Sequence, residues 1–470
     1  MKLKKVQITN FRCFESLDIT LQPDVNVFVG VNGAGKTTIL DAIAIALYDI
    51  VAANGGGGVR QRSYQDVSLT PGDIHIIPGS KDPMLGRKEF VQISAQAGDF
   101  YELPGFLSKT DIGAENLIEW TNYIGYSMPK EFSYDTRYSE RLASIYNYFE
   151  TIWRELKKSD GKTLIPFPVI AYYRAGRSLR EMPSLGEIFN LQLDRIGAYN
   201  MALNAGADYK AMCQWMYLRE NSELREKFQH RDDPNFVFPD LKTVREAVIQ
   251  SFEDVTKVYF KDNPPNLMIE LSHDHNIRQS YGIEQLSDGY RNLLALVLDF
   301  ARRLAQANPN WENPLEAPGI LLIDEIELHL HPGWQQTVIE NLRRVFPNTQ
   351  LIMATHSPQI LTTVKREHIH LLSLEHAFVP LLDDIGTYGS ESAHVLESVL
   401  GVDTRPKDLE MVKKLNSYLQ MIERQEHLTE TAVSLRKELE EAMGSSDPAL
   451  THADMRIRQI GIIGKKNEIL

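Results

Sequence analysis

The chain has 470 residues, room for two or three domains, and 43% of them are hydrophobic, as in a globular protein with a substantial core. A formal net charge of −13 argues against a general nucleic-acid coat protein, though it leaves room for a local basic surface. Cys13 and Cys213 match no zinc spacing and fit a reducing compartment, no run approaches ~18 apolar residues, and MKLKKVQITNFRCF lacks the apolar stretch of a signal peptide, so a cytoplasmic chain is expected.

In chain order, KVQITNF and LDITLQ read as strands, VNVFVG as a buried strand and KTTILDAIAIALYDIV as a helix. NGGGGV reads as a solvated glycine loop, with Arg60 and Arg62 beside it as possible anion contacts. Residues 88–103 look like strand. Residues 104–165 are mixed and aromatic-rich, and end in a helical SERLASIYNYFETIWRELKK. LIPFPVIAYYRAGR is a buried strand with a loop after it, and residues 182 to about 262 look helical apart from a break at RDDPNFVFPD. NLMIEL resumes the strands. A helix carries YRNLLALVLDFARRLAQ, then come strand 319–324, helix 333–345, strand 350–354 and a short helix at HSPQIL. This alternation predicts an α/β fold with a mostly parallel sheet covered by helices. Residues 405–443 are helical and charged, with Leu409, Val412, Leu415, Leu419 and Ile422 at helical spacing, and no internal repeat is visible.

The strongest motif is GVNGAGKTT. Gly30, Gly35, Lys36 and Thr37 fit the phosphate-loop spacing between a buried strand and a helix. Glycines let such a loop turn its N–H groups inward on phosphate, and the helix N-terminus adds positive potential. Asn32, Gly33, Ala34, Gly35, Lys36, Thr37 and Thr38 are therefore the expected phosphate-binding residues, with Thr37 also ligating Mg²⁺.

LLIDEIELHLHP raises a choice. Its acids and histidines, Asp324, Glu325, Glu327, His329 and His331, could be a metal cluster, or a buried strand could be delivering two carboxylates to the phosphate loop. A phosphate loop needs an acid at the end of a neighbouring strand. Asp324 is therefore read as the second Mg²⁺ contact and Glu325 as the general base toward water. Glu327 is read as structural or water-positioning, and the histidines as shaping the following turn and facing a neighbouring subunit or nucleotide. In LSDGYR, Ser287 and Gly289 open a helix. Alone they are a cap; beside the other motifs they become a second phosphate reader. In ATHS, His356 ends a buried strand where an imidazole can reach the γ-phosphate or its water.

Taken in order, the loop, LSDGYR, LLIDE and ATHS resemble the ABC-type ATPases, in the branch of the SMC and RecF proteins, and LKKVQITNFRCFESLDITL is similar to the opening of that branch. The resemblance covers residues 1 to about 50 and about 265 to 375 closely. It implies a head domain with a mixed or parallel sheet, a helical insertion and a helical C-terminal extension. The expected bounds are an N-lobe at 1–181, an insertion at 182–262, a C-lobe at 263–375 and the extension at 376–470. It also implies a homodimer or higher homo-oligomer with ATP between two heads. Lys36, Thr37, Asp324, Glu325 and His356 would come from one head, Ser287 and Gly289 from the other.

The sequence departs from that pattern in two places. Asp288 stands where the signature's second glycine is usual, and the strand end VIAYYRAGR offers Arg174 and Arg177 where a metal-contacting glutamine is expected. Both point to slow turnover. Within the branch, GYRNLLALVLDFARRL, EIELHLHPGWQQ and DDIGTYGSESAHVLESVLGVDTRP resemble the stand-alone ATPases of anti-phage loci, most of all the Septu type. The implied partners are a small HNH endonuclease and DNA. Residues 375–470 lack a Toprim acid pattern, since Asp383 and Asp384 are adjacent and point apart on any strand, so cleavage is expected of a separate chain. A DNA-repair ATPase of RecF type is the alternative. A transporter ATPase, a small-molecule kinase and a zinc site at the two histidines fit the motifs less well than either.

Overall fold

The computed structural model describes residues 1–54, 67–77, 87–101, 117–125, 136–159, 164–175, 193–203, 209–229, 236–261, 265–273, 277–382 and 385–467. The strands of the first half are β1 (Lys2–Phe11), β2 (Phe14–Thr20), β3 (Val25–Gly30), β4 (Phe90–Gly98), β5 (Ile118–Gly125) and β6 (Val169–Tyr173). Those of the second are β7 (Val255–Lys261), β8 (Asn266–His273), β9 (Ile277–Gly282), β10 (Gly319–Ile323), β11 (Thr349–Thr355), β12 (Ile369–Leu372) and β13 (Phe378–Val379).

The central sheet has the order β13-β12-β3-β11-β10-β6. Its members run parallel except β13, which closes one edge antiparallel to β12. β3, β6, β10 and β11 are buried from end to end, as expected of strands covered on both faces. A four-stranded antiparallel sheet, β2-β1-β4-β5, and a three-stranded one, β7-β8-β9, complete a mixed α/β head of the expected class. Register lines up the strand ends: Ile323 lies opposite Met353 and Tyr173, and Thr355 opposite Val29. Gly30, Tyr173, Asp324 and His356 therefore leave the sheet at its carboxyl edge, where open α/β sheets collect ligands. The helix Lys36–Asn54, almost wholly buried in its first half, follows the phosphate loop and packs on this sheet and on β4 and β5.

Three expectations give way. The stretch read as helical to about 262 ends in β7, whose Val255, Val258 and Phe260 pair with β8; cross-strand packing decided a segment whose local pattern was ambiguous. The helix expected at 333–345 is two pieces, Pro332–Gln335 and Val338–Val345, separated at Gln336 and Thr337. Leu409, counted with an apolar helix face, caps its helix and is exposed. The glycine loop with Arg60 and Arg62, the break at 231–240 up to residue 235, Arg177, Asp383 and Asp384 lie outside the described residues.

Contacts divide the chain into Met1–Ser392 and Ala393–Leu470. β13 belongs to the first unit, held by its ladder to β12. In the second, the helices Glu410–Glu423, Glu430–Met443 and Pro448–Asn467 share a core of Leu415, Tyr418, Ile422, Ala432, Leu439, Leu450 and Ala453. The third of these helices extends past the stretch that the sequence marked as helical. No helix among the described residues is long and apolar enough to cross a membrane.

Candidate functional site

The loop after β3 is shaped by glycines that nothing larger could replace. A Cβ at Gly30 would stand 2.5 Å from the Leu372 carbonyl oxygen, and one at Gly35 would stand 2.6 Å from the Phe14 ring. Gly35 also has φ +105, in the region that glycine alone adopts freely. The helix begins at Lys36 directly after this turn, so its unpaired N–H groups face the space inside the loop. The Lys36 amine folds back and donates to the carbonyl oxygens of Gly30 at 2.9 Å and Val31 at 3.0 Å. Burial lowers its pKa, and the fields of Asp324, Glu327 and Glu325 work against that fall. A partly desolvated ammonium beside a helix N-terminus is the electrostatic complement of a phosphate chain.

The Thr37 hydroxyl donates to Asp324 Oδ2 at 2.9 Å. Asp324 is buried at the end of β10, and its N–H bonds to the Tyr173 carbonyl at the end of β6. A hydroxyl and a carboxylate at this spacing are hard oxygen donors of the kind Mg²⁺ prefers, so Thr37 and Asp324 are suited to hold it. Glu325, next along, has φ +47, which turns its side chain out of the strand direction at the point where β10 ends.

Glu327 is a staple. Its carboxylate accepts from the Thr355 hydroxyl at 2.8 Å and from the His356 N–H at 2.6 Å, fixing the end of β11 to the turn after β10. His356 itself is half-buried. Burial, and then the Lys36 charge, lower its pKa, against the opposing fields of Glu327, Glu325 and Asp324. Lys36, Thr37, Asp324, Glu325 and His356 thus lie within one electrostatic neighbourhood at the sheet edge.

Ser287 and Gly289 stand at the start of another helix, Asp288–Ala307. Ser287 caps it, accepting from the Tyr290 N–H. Gly289 is pressed against the carbonyl of His329, leaving no space for a Cβ. Asp288 forms an ion pair with Arg291, so its added negative charge is compensated within the chain. The two histidines have separate tasks: His329 turns the backbone at φ +63, and His331 Nδ1 accepts from the Gly333 N–H to cap the next helix. Among the described residues no group of three or more His, Cys, Asp or Glu is placed to hold a metal.

A second cluster was signalled in the sequence only by Arg174. Asp41, buried on the helix after the loop, accepts from Arg12 at 2.5 Å, Arg174 at 2.5 Å and the Tyr172 hydroxyl at 3.0 Å. Arg12 also bonds Asp73 at 2.8 Å. Arg174, at the strand end where the resemblance would put a glutamine, is therefore engaged with the phosphate-loop helix.

An AAA domain model matches residues 5–233 and an AAA ATPase domain model residues 216–361. A retron Ec83 probable ATPase from Escherichia coli is 27% identical over 98% of this chain and 87% of its own length. The Septu protein PtuA of Bacillus mycoides is 42% identical over 16% of this chain and 10% of its own length. The Septu likeness is thus local, and the likeness to the retron ATPase runs the whole chain. A crystallised SmcHead bound to the C-winged helix domain of ScpA covers 80% of this chain and 96% of that one, at 14% identity and a TM-score of 0.42. The AAA domain and AAA ATPase domain matches, with relatives named as probable ATPases, support ATPase activity, and the chain is similar to retron ATPases over its length and to Septu and RecF proteins over parts of it.

Proposed function

We propose that this ATPase is the nucleotide-controlled subunit of an anti-phage defence complex, and that it positions or regulates a separate HNH nuclease acting on DNA. In this reading two copies close on ATP. The loop Asn32–Thr38 of one copy holds the phosphates, with Lys36 on the β- and γ-phosphates, and Thr37 and Asp324 carry a Mg²⁺ that neutralises phosphate charge. Glu325 takes the proton of the attacking water as the bond between the γ-phosphorus and the leaving oxygen of ADP breaks. His356 reads the γ-phosphate, while Ser287 and Gly289 arrive from the second copy.

The observation that carries the ATPase half is the convergence of Lys36, the Thr37–Asp324 bond and His356 at one sheet edge. The defence half is supported by the whole-length likeness to an ATPase named for a retron and the local likeness to a Septu protein. Slow turnover is supported by Arg174, which is drawn to Asp41 in place of a metal-contacting amide.

The test is co-expression with the native flanking genes, followed by affinity capture, mass spectrometry and a DNA-cleavage assay. The reading expects a small HNH protein to co-purify, with cleavage that needs both chains; a protein captured alone that binds DNA ends or gaps only with ATP would replace it with a repair function. Within the site, Lys36→Ala should abolish ATP binding. Glu325→Gln should keep binding, lower turnover by about 100-fold or more, and accumulate the ATP-closed dimer in size-exclusion chromatography. Turnover at the wild-type rate would remove Glu325 as the base.

A further inference from the structure

The end of β12 and the turn that follows it meet the end of β3 and the phosphate loop at one point each. At the first, the Leu372 carbonyl oxygen fills the place of a Gly30 side chain. At the second, His376 Nδ1 lies 3.0 Å from the carbonyl oxygen of Ala34. A carbonyl oxygen only accepts, so Nδ1 carries the hydrogen in this contact. The peptide between Ala34 and Gly35 is planar, with its C=O and N–H on opposite sides. Holding the carbonyl from outside the loop therefore turns the Gly35 N–H toward the inside.

The imidazole is itself held in place. His376 has φ +58 in a tight turn closed by Ser373 N–H to Ala377 O at 3.0 Å and His376 N–H to Ser373 O at 3.2 Å. Its ring meets the Phe14 ring edge-on, with centroids 5.7 Å apart and planes at 74°. Phe14 is fully buried, and its ring is the one that fills the place of a Gly35 side chain. His376, Phe14, Ala34 and Gly35 thus form one closed set of contacts, and the histidine supplies its polar member.

We propose that His376 is a positioning residue of the nucleotide site, fixing the Ala34–Gly35 peptide so that the Gly35 N–H is presented to the phosphates before nucleotide arrives. The inference rests on the loop being the ATP site. It differs from a packing role because only a hydrogen-bond donor can do it.

The experiment uses the full chain and four proteins: wild type, His376→Ala, His376→Asn and Lys36→Ala. Binding of a fluorescent ATP analogue and of ADP is measured at equilibrium, beside KM and kcat. Loss of the donor in His376→Ala should weaken both nucleotides about tenfold, raise KM by the same factor and leave kcat within about twofold. Asparagine keeps a donor and tolerates positive φ, so His376→Asn should recover part of the affinity. If His376→Ala does not fold, His376→Gly relieves the positive φ, also lacks a donor, and gives the same comparison. Wild-type affinity in a folded donor-less variant overturns the role of His376 while Lys36→Ala still fails to bind. Wild-type binding by Lys36→Ala overturns the ATP site itself.

Discussion

His370 is stacked on Phe28, ring centroids 4.8 Å apart, and its Nε2 lies 3.1 Å from Asn26 Oδ1. Burial, with a smaller push from His368, brings its pKa down from 6.5 to about 4. The folded chain therefore holds this imidazole neutral, while the unfolded chain takes up a proton near the ordinary value. Stability from this group is fully present above 6.5, declines as pH falls, and is gone below about 4, a loss of at most about 3 kcal/mol. His370→Phe keeps a ring on Phe28 and removes the titration. Urea midpoints measured from pH 6.5 down to 4 should fall less steeply in that variant than in the wild type, and parallel curves would show that another group sets the slope. The same kind of reasoning separates the acids after β10. Glu327, saturated by Thr355 and the His356 N–H, is spent on structure, whereas Asp324 faces Thr37 and the loop.

The helix Asp288–Ala307 is anchored by charges that never meet water. Asp299, about 1% exposed, accepts from Tyr173 at 2.7 Å, from Arg302 at 2.7 Å and from Arg303 at 2.8 Å, and Arg303 also donates to the carbonyls of Ala198 and Asn200. Burial opposes the Asp299 charge, but Arg303 and Arg302 outweigh it and hold its pKa well below the usual carboxylate range. Asp299→Ala would strand two buried guanidiniums, and chemical denaturation should show a loss of about 3–5 kcal/mol. A loss under about 1 kcal/mol would mean that the backbone carbonyls suffice. Tyr173 ties this helix to the strand next to Asp324, so the element carrying Ser287 and Gly289 is braced on the nucleotide edge of the sheet. What the sequence reveals at this level follows from locality. The phosphate loop, the apolar run of β10 ending in acids, and β11 ending at His356 are each written in a few consecutive residues, and their sheet positions follow from burial. β7 was misread because its fate depends on β8. The Asp41 cluster and the clamp at His376 have no local signature, since their partners lie 133 and 342 positions away.

The whole molecule separates chemistry from what we propose is recognition. Every candidate site residue lies within Met1–Ser392, and Ala393–Leu470 has a core of its own. Within that second unit Arg405 pairs with Asp447 at 2.8 Å, and Arg436 bonds Asp454 at 2.9 Å. Leu409 at a helix cap, Leu428 in the turn between two helices and Val433 on the second helix are well exposed, at 55%, 82% and 57%. Exposed apolar side chains on a small folded unit that holds none of the candidate site residues fit a protein partner better than a second catalytic centre. The helices between 405 and 443 are accordingly our candidate docking surface for the nuclease. A chain ending at Ser392 should bind ATP as the full chain does and no longer capture the nuclease. Leu428→Glu together with Val433→Glu in the full chain should weaken capture while ATP turnover is unchanged. If the shortened chain still brings down the nuclease, the partner docks on the ATPase head, and nucleotide-driven closure would then act on it directly rather than through the C-terminal helices.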